Sequence, residues 1–357
     1  MLDDIAPSGQ TMQTSALIHC SGVASTARGA IALKNISCDI YAGEIFMIAG
    51  YAGSGKSLLL KILAGQVPYS GMVTVQNRPL EDSVIPLQTY LNYLPQENDT
   101  PDFITPREFM AIQGGLRGMK PKAIRDAIND LTDKFTMTDF ARKPFRLLSP
   151  AQRQISRSAA ALMGYPQILI LDDPMRDCDA EQRAVFWDLI DSLRRETNIT
   201  TLFATQHIDE AQRIITRAAI LRAGSLMTVG ALDELAEKYH VQAHIDITLT
   251  ASSALTEPMR QKLQKIGEIA ERDPLSFSLF PNTRIPTMAI PKSRKNKKND
   301  NAADSWLLDS VSMPGALGKC IDDILSILGR ENIAQMWLAP PSFSDILRSA
   351  VQSGNEG

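Results

Sequence analysis

Short apolar runs alternate with amphipathic stretches from Ala16 to about Leu235. That alternation predicts strands and helices in succession, an α/β architecture. Phe46-Met47-Ile48-Ala49, Gln167–Leu171 and Thr201–Thr205 read as buried strands. Leu58–Leu63 reads as a helix. So does Ala180–Arg195, with Val185, Trp187, Leu189 and Leu193 among its apolar positions. Ala218–Leu221 and Ser225–Val229 predict a hairpin turning through Arg222-Ala223-Gly224. A second unit starts near Gln242, where Ala243, Ile245, Ile247 and Leu249 alternate with polar residues. It continues with a helix (Met259–Ile266), a strand (Ser276–Phe280), a loop (Pro281–Ala303) and a strand candidate (Ser305–Val311). A helix (Leu317–Leu328), a strand (Ile333–Leu338) and a short amphipathic helix (Ser342–Val351) complete it. The β-α-β-β-α-β order predicts a ferredoxin-like domain with the loop inserted in its central hairpin. The expected division is a disordered leader (1–15), a first domain (16–240) and a small α/β domain (241–357) with an insert at about 281–303.

Composition narrows the picture. A chain of 357 residues with 44% hydrophobic and 22% charged residues is an ordinary globular one with room for two domains. A formal net charge of −3 argues against a dedicated nucleic-acid binder. No apolar run is long enough to span a membrane, and the acidic start Met1-Leu2-Asp3-Asp4 argues against export. Cys20, Cys38, Cys178 and Cys320 are scattered, which suits a reducing cytosol and gives no metal signature. His240 and His244 have no evident carboxylate or thiol partner and read as surface or strand positions. The basic stretch Lys292–Lys298 reads as a solvated linker. Its functional alternative is contact with anionic lipid headgroups.

The chemistry is concentrated in Gly50-Tyr51-Ala52-Gly53-Ser54-Gly55-Lys56-Ser57, which fits G-x-x-x-x-G-K-[ST]. A strand runs into it and a helix leaves it, the context a phosphate-binding loop requires. Glycines let backbone N–H groups curl around phosphate oxygens, and the helix N-terminus adds a favourable dipole. Lys56 is placed to reach the β- and γ-phosphates of a nucleotide, and the Ser57 hydroxyl to ligate Mg²⁺. Asp172-Asp173-Pro174 closes the strand Gln167–Leu171. A carboxylate at the tip of a buried strand beside the P-loop strand is the Walker B arrangement. There Asp172 would hold Mg²⁺ through its water shell and Asp173 would polarise the attacking water.

Leu148-Ser149-Pro150-Ala151-Gln152-Arg153 lies between the two motifs, with Ser149 a good N-cap and Pro150 a good first helical residue. In that place it resembles the signature sequence of ABC-transporter ATPases. Tyr93-Leu94-Pro95-Gln96 is similar to the Q-loop, Asp173–Arg183 to the stretch through the D-loop, and Thr205–Ala211 to the H-loop. The resemblance covers about residues 16–238. Pro341-Ser342-Phe343-Ser344-Asp345-Ile346-Leu347 also resembles the tail of ATPases of drug, ion or polysaccharide exporters.

The resemblance implies a P-loop NTPase fold, a mixed sheet plus a helical subdomain. It implies ATP and Mg²⁺ as cofactors and a second ABC ATPase subunit as partner. It also implies an integral membrane permease and a peripheral place on the inner face of the cell membrane. Gly50 to Ser57, Gln96, Ser149, Ala151 and Asp179 would bind nucleotide; Ser57, Gln96 and Asp172 would hold the metal; Lys56, Asp173 and Gln206 would be catalytic. Ala27 stands where a stacking Tyr is usual, at a cost of about 1–3 kcal/mol in adenine binding. Asp173 replaces Glu, Gln206 the switch histidine, and Pro150 and Ala151 two glycines. Of the D-loop, only Asp179 keeps its place. These departures predict slow hydrolysis. The rival expectation is a regulatory or structural subunit that binds ATP and scarcely cleaves it.

Overall fold

The computed structural model describes residues 15–26, 32–81, 89–97, 100–241, 243–250, 255–273, 275–282, 316–339 and 341–353. The leader other than Ser15, Ala27, residues 283–303 of the expected insert and the strand candidate Ser305–Val311 lie outside them. The chain divides into two compact units, residues 1–232 and 233–357.

The first unit opens with β1 (Ile18–Thr26), β2 (Ala32–Ile40), β3 (Ile45–Ala49), α1 (Lys56–Leu63), β4 (Ser70–Val75), β5 (Arg78–Pro79) and β6 (Leu91–Leu94). Next come α2 (Pro106–Leu116), α3 (Pro121–Lys134), α4 (Pro150–Ala161), β7 (Ile168–Asp172), α5 (Ala180–Thr197) and β8 (Thr200–Ala204). The short α6 (Ile208–Ala211), β9 (Arg217–Arg222) and β10 (Ser225–Gly230) complete it, and α7 (Leu232–Lys238) begins at the unit boundary. The strands form one sheet ordered β5-β4-β1-β2-β10-β9-β3-β8-β7-β6. Its centre is parallel: β9 with β3, β3 with β8, β8 with β7, β7 with β6. Every residue of β3, β7 and β8 is buried, as expected of strands covered on both faces. One flank is antiparallel, β2 to β1 to β4 to β5, and joins the centre at a single register pair, Lys34 with Ser225. Helices α2, α3 and α4 pack together, with α4 also against β6.

Two expectations need correction here. The strand carrying Asp172 is not beside the P-loop strand: β8 lies between β3 and β7. Helix α1 makes the connection instead, because it leaves the loop and packs on both β7 and β8. Helix α5 buries Phe186, Trp187, Ile190 and Leu193, while Val185 is 55% exposed. Of the expected apolar positions, Trp187 and Leu193 lie on this core face and Leu189 is half-buried, so Val185 alone departs from it, and the aromatic pair Trp187–Phe203 fixes the face to β8 at 4.6 Å.

The second unit contains β11 (His244–Leu249), α8 (Glu257–Leu263), β12 (Gly267–Asp273), β13 (Ser276–Pro281), α9 (Ala316–Leu328), β14 (Ile333–Ala339) and α10 (Phe343–Ser353). Its antiparallel sheet is ordered β12-β13-β11-β14. Ile245, Ile247 and Leu249 share a core with Ile321, Ile324 and Leu328 of α9. The central hairpin is β12–β13, a tight turn, and the stretch expected to be inserted in it follows β13 instead. Gly267–Asp273 hides from pattern reading because it is an edge strand rich in charge, with Glu268, Glu271, Arg272 and Asp273. His244 stands in a strand, one of its two expected places, but it has a carboxylate neighbour: it is buried, its Nε2 lies 3.3 Å from Asp246 Oδ1, and Ser278 Oγ donates to the same oxygen at 2.6 Å.

Candidate functional site

The chain leaves β3 at Gly50 with φ +153°, and a Cβ there would stand 2.4 Å from Leu221 O and Ser54 Oγ. Only glycine fits that close approach. Gly53 (φ +78°) bends the loop again, and Gly55 (φ +103°) opens α1 in a left-handed conformation without a side-chain cap. The first N–H groups of α1 are thus left facing outward for an anion. Lys56 Nζ folds over the loop, donating to Gly50 O at 2.7 Å and Tyr51 O at 3.0 Å. Burial lowers its pKa from the usual lysine value, while Asp172 and Asp173 oppose that shift. Ser54 Oγ is buried without a hydrogen-bond partner among the described residues, and Ala52 is exposed.

Ser57 Oγ donates to Asp172 Oδ1 at 3.0 Å. Asp172 is 3% exposed, and its Oδ2 has no hydrogen-bond partner among the described residues. Burial pushes its carboxyl pKa up, the Ser57 bond pulls it down, and the charge of Asp173 adds to the rise. An orphaned buried carboxylate oxygen next to a hydroxyl is the donor set of a hard cation such as Mg²⁺. Asp173 sits at φ +51°, where Asp is tolerated better than most residues, and its N–H donates to Ala204 O at 2.8 Å. Thr205 Oγ1 donates to Asp173 Oδ1 at 3.2 Å and accepts from the His207 N–H at 3.1 Å. Sequence reading passes over Thr205, which ties Asp173 to the start of α6. Gln206 is exposed beyond β8, and His207 is half-buried.

The remaining expected site residues engage locally. Ser149 caps α4 in a capping box with Gln152, and Ala151 lies half-buried in that first turn. Asp179 caps α5 the same way with Gln182. Among the described residues neither Ser149 nor Asp179 bonds to Gly50–Ser57. Gln96 lies half-buried two residues past the end of β6, whose Leu94 is in register with Leu171 of β7. The structure therefore brings Lys56, Ser57, Asp172 and Asp173 together, with Gln96 just beyond the strand next to β7. Ser149, Ala151 and Asp179 stand at their own helix starts.

Two arginines missed by motif reading organise these loops. Arg183 pairs with Glu210 through two bonds, at 2.5 and 2.7 Å, and also donates to Cys178 O. It joins α5, α6 and the turn after β7. Arg157, buried in α4, donates to Pro95 O and Glu97 O. Arg183 closes the stretch similar to the D-loop, which assigns it no role, and no apolar period or short motif signals Arg157.

Comparison with known proteins agrees with this geometry. Residues 33–176 match the family described as ABC transporter. The mouse ABC-type organic anion transporter ABCA8B is 26% identical over 297 residues, 83% of this chain and 18% of that protein. Mouse ATP-binding cassette sub-family A member 6 is 31% identical over 219 residues, 60% of this chain and 13% of that protein. The chain thus spans less than a fifth of the length of these relatives. Among solved structures, the MJ0796 ATP-binding cassette dimer bound to ADP and Pi aligns with a TM-score of 0.55 at 22% identity, covering 60% of this chain and 98% of that one. CbiO1 from Clostridium perfringens aligns with a TM-score of 0.55 at 24% identity, covering 62% of this chain and 92% of that one. These likenesses establish the mixed α/β ATP-binding-cassette fold.

Proposed function

We propose, from the premise that the chain carries an ABC-transporter ATP-binding domain, that it is the ATPase subunit of an ABC exporter. Its nucleotide cycle would drive a separate membrane permease. The observation that carries this is the Ser57–Asp172 bond beneath Lys56, which unites the phosphate loop with a buried carboxylate. Gly50 to Ser57 cradle the phosphates, and Lys56 exchanges its two loop carbonyls for phosphate oxygens. Ser57, Gln96 and, through water, Asp172 would hold Mg²⁺, which would neutralise phosphate charge. Asp173 orients the attacking water and Gln206 donates to the γ-phosphate. Ser149, Ala151 and Asp179 serve the nucleotide of a second subunit across a dimer interface. That role fits helix starts whose bonds within their own chain are local. Hydrolysis is slow, because Asp173 has a short arm and Pro150 lacks an N–H.

The strand order β12-β13-β11-β14 and its connections support a ferredoxin-like accessory domain after residue 240. No helix among the described residues is long and apolar enough to cross a membrane, which fits a peripheral subunit working with a permease. A regulator that scarcely cleaves ATP is not favoured by the family match.

The test is a Mg-ATPase assay on the membrane complex with wild type, Lys56→Ala and Asp173→Asn. Activity in the wild type, lost in both variants, is expected. Transport retained without measurable turnover in the wild type would overturn the assignment.

A further inference from the structure

We propose that Arg157 is a positioning residue for Gln96, gripping the backbone on both sides of it. The inference rests on the nucleotide site proposed above. Arg157 lies in mid-α4 and is 4% exposed. Its Nη2 donates to Pro95 O at 2.7 Å and to Glu97 O, the carbonyls of the residues immediately before and after Gln96. Its Nη1 donates to Gln154 Oε1 at 3.2 Å.

The same helix face extends to the other catalytic loop. Gln154 Nε2 donates to Pro174 O at 2.5 Å, and Ser158 Oγ donates to that oxygen at 2.8 Å. Pro174 follows Asp173. One turn of α4 therefore fixes the segment bearing Gln96 and the turn bearing Asp173 relative to each other.

The geometry explains why a guanidinium is buried there. A buried cation is costly unless its donors are met, and two carbonyls at one nitrogen with an amide oxygen at the next engage three of the five N–H donors of the planar fork. Lysine offers a point charge on a flexible stem and cannot hold that plane. The segment also has room to move: a cavity of about 190 Å³ adjoins it, lined in part by Pro95, Glu97, Phe109, Arg117 and Arg157. Without the grip of Arg157, residues 95–97 are free to relax into that space. A side-chain amide that must meet a metal ion needs its backbone held to within a fraction of an ångström.

The test uses the full chain with Arg157→Lys and Arg157→Met, each alone and combined with Gln96→Ala. Mn²⁺ binding in the presence of a non-hydrolysable ATP analogue is read by electron paramagnetic resonance. Expected is a loss of Mn²⁺ affinity of at least about fivefold in Arg157→Met, with a smaller loss in Arg157→Lys. In the Gln96→Ala background, neither Arg157 variant should weaken Mn²⁺ binding further. Losses that multiply, or Mn²⁺ affinity in Arg157→Met that stays at the wild-type value, would overturn the proposal. If Arg157→Met does not fold, Arg157→Lys carries the comparison. A wild type that binds no Mn²⁺–nucleotide at all would instead overturn the nucleotide site itself.

Discussion

The Ser57 hydroxyl donates to Asp172 Oδ1 at 3.0 Å, bridging the first turn of α1 and the last residue of β7 across the intervening β8. The bond leaves the second oxygen of Asp172 buried and unpartnered among the described residues. Such a site is held ready for a cation at the cost of stability without one.

Asp172→Asn should expose that cost. Burial is the main cause that raises the Asp172 pKa above the ordinary carboxyl value. A group whose folded value is raised contributes stability below the ordinary value and loses it as pH rises through the folded value. At pH 7 the ionised carboxylate is therefore a burden on the nucleotide-free protein. Asparagine keeps an acceptor for Ser57 and removes the charge. Differential scanning fluorimetry at pH 7 should show Tm higher by about 2–4 °C. The gain should shrink as pH falls toward about 4. Mg²⁺-dependent nucleotide binding should fall in the same variant.

Gly50→Ala tests the loop's backbone. The added Cβ would meet Leu221 O and Ser54 Oγ at 2.4 Å, one of them main chain, at φ +153°. That carbonyl belongs to β9, where Leu221 is in register with Leu226 of β10, so it cannot retreat without disturbing that pairing. Urea unfolding should show a loss of about 1–3 kcal/mol. An unchanged midpoint would mean that the loop is free to shift.

Glu210→Gln tests the link between α5 and α6. The bond from Arg183 lowers the Glu210 pKa, with burial opposing it. A depressed carboxyl value contributes stability above the ordinary value that is lost as pH falls through the folded one. The pair is partly exposed, so the loss at pH 7 should be no more than about 1 kcal/mol. The difference between wild type and variant should vanish below the folded Glu210 value. Chemical denaturation across acid pH would reveal it. A difference constant with pH would assign the effect to packing.

How far the chain is readable follows from how each feature is encoded. Gly50–Ser57 is contiguous, and its residue types are each demanded by backbone geometry, so it stands out from sequence alone. Asp172 and Asp173 are nearly as plain, since a buried run ending in two carboxylates has few other uses. Arg157 is invisible because its partners Pro95 and Glu97 lie 62 and 60 residues away and contribute only carbonyls, which every residue has. Val185 misleads because one apolar residue beside a helix's core face looks like part of it, and only packing against β8 decides. The strand at Gly267–Asp273 escapes because an edge strand needs little apolar content. His244 and Asp246 share a strand face at a spacing of two, a signal present in the sequence that only burial distinguishes from a surface pair.

Asp173→Glu bears most directly on whether hydrolysis is limited by reach. The Asp173 carboxylate is drawn back toward β8 by Thr205, which donates to its Oδ1 at 3.2 Å, and by its own N–H bond to Ala204 O. Its other oxygen is buried without a hydrogen-bond partner among the described residues. One more methylene moves the carboxylate about 1 Å toward the nucleotide, a distance that costs or recovers around 10²-fold in rate. The longer side chain gives up the Thr205 bond, so the nucleotide-free protein should lose about 1 kcal/mol. Steady-state turnover should rise about 10- to 100-fold with KM little changed, because the gain belongs to the transition state and not to binding. Thr205→Val in the same assay should raise turnover in the parent, because it releases the carboxylate that the hydroxyl draws back. It should have little effect when combined with Asp173→Glu, because the extended carboxylate no longer leans on that hydroxyl. If Asp173→Glu folds, binds nucleotide and turns over no faster, the arm length of Asp173 is not what slows this site, and the missing N–H at Pro150 becomes the group to restore.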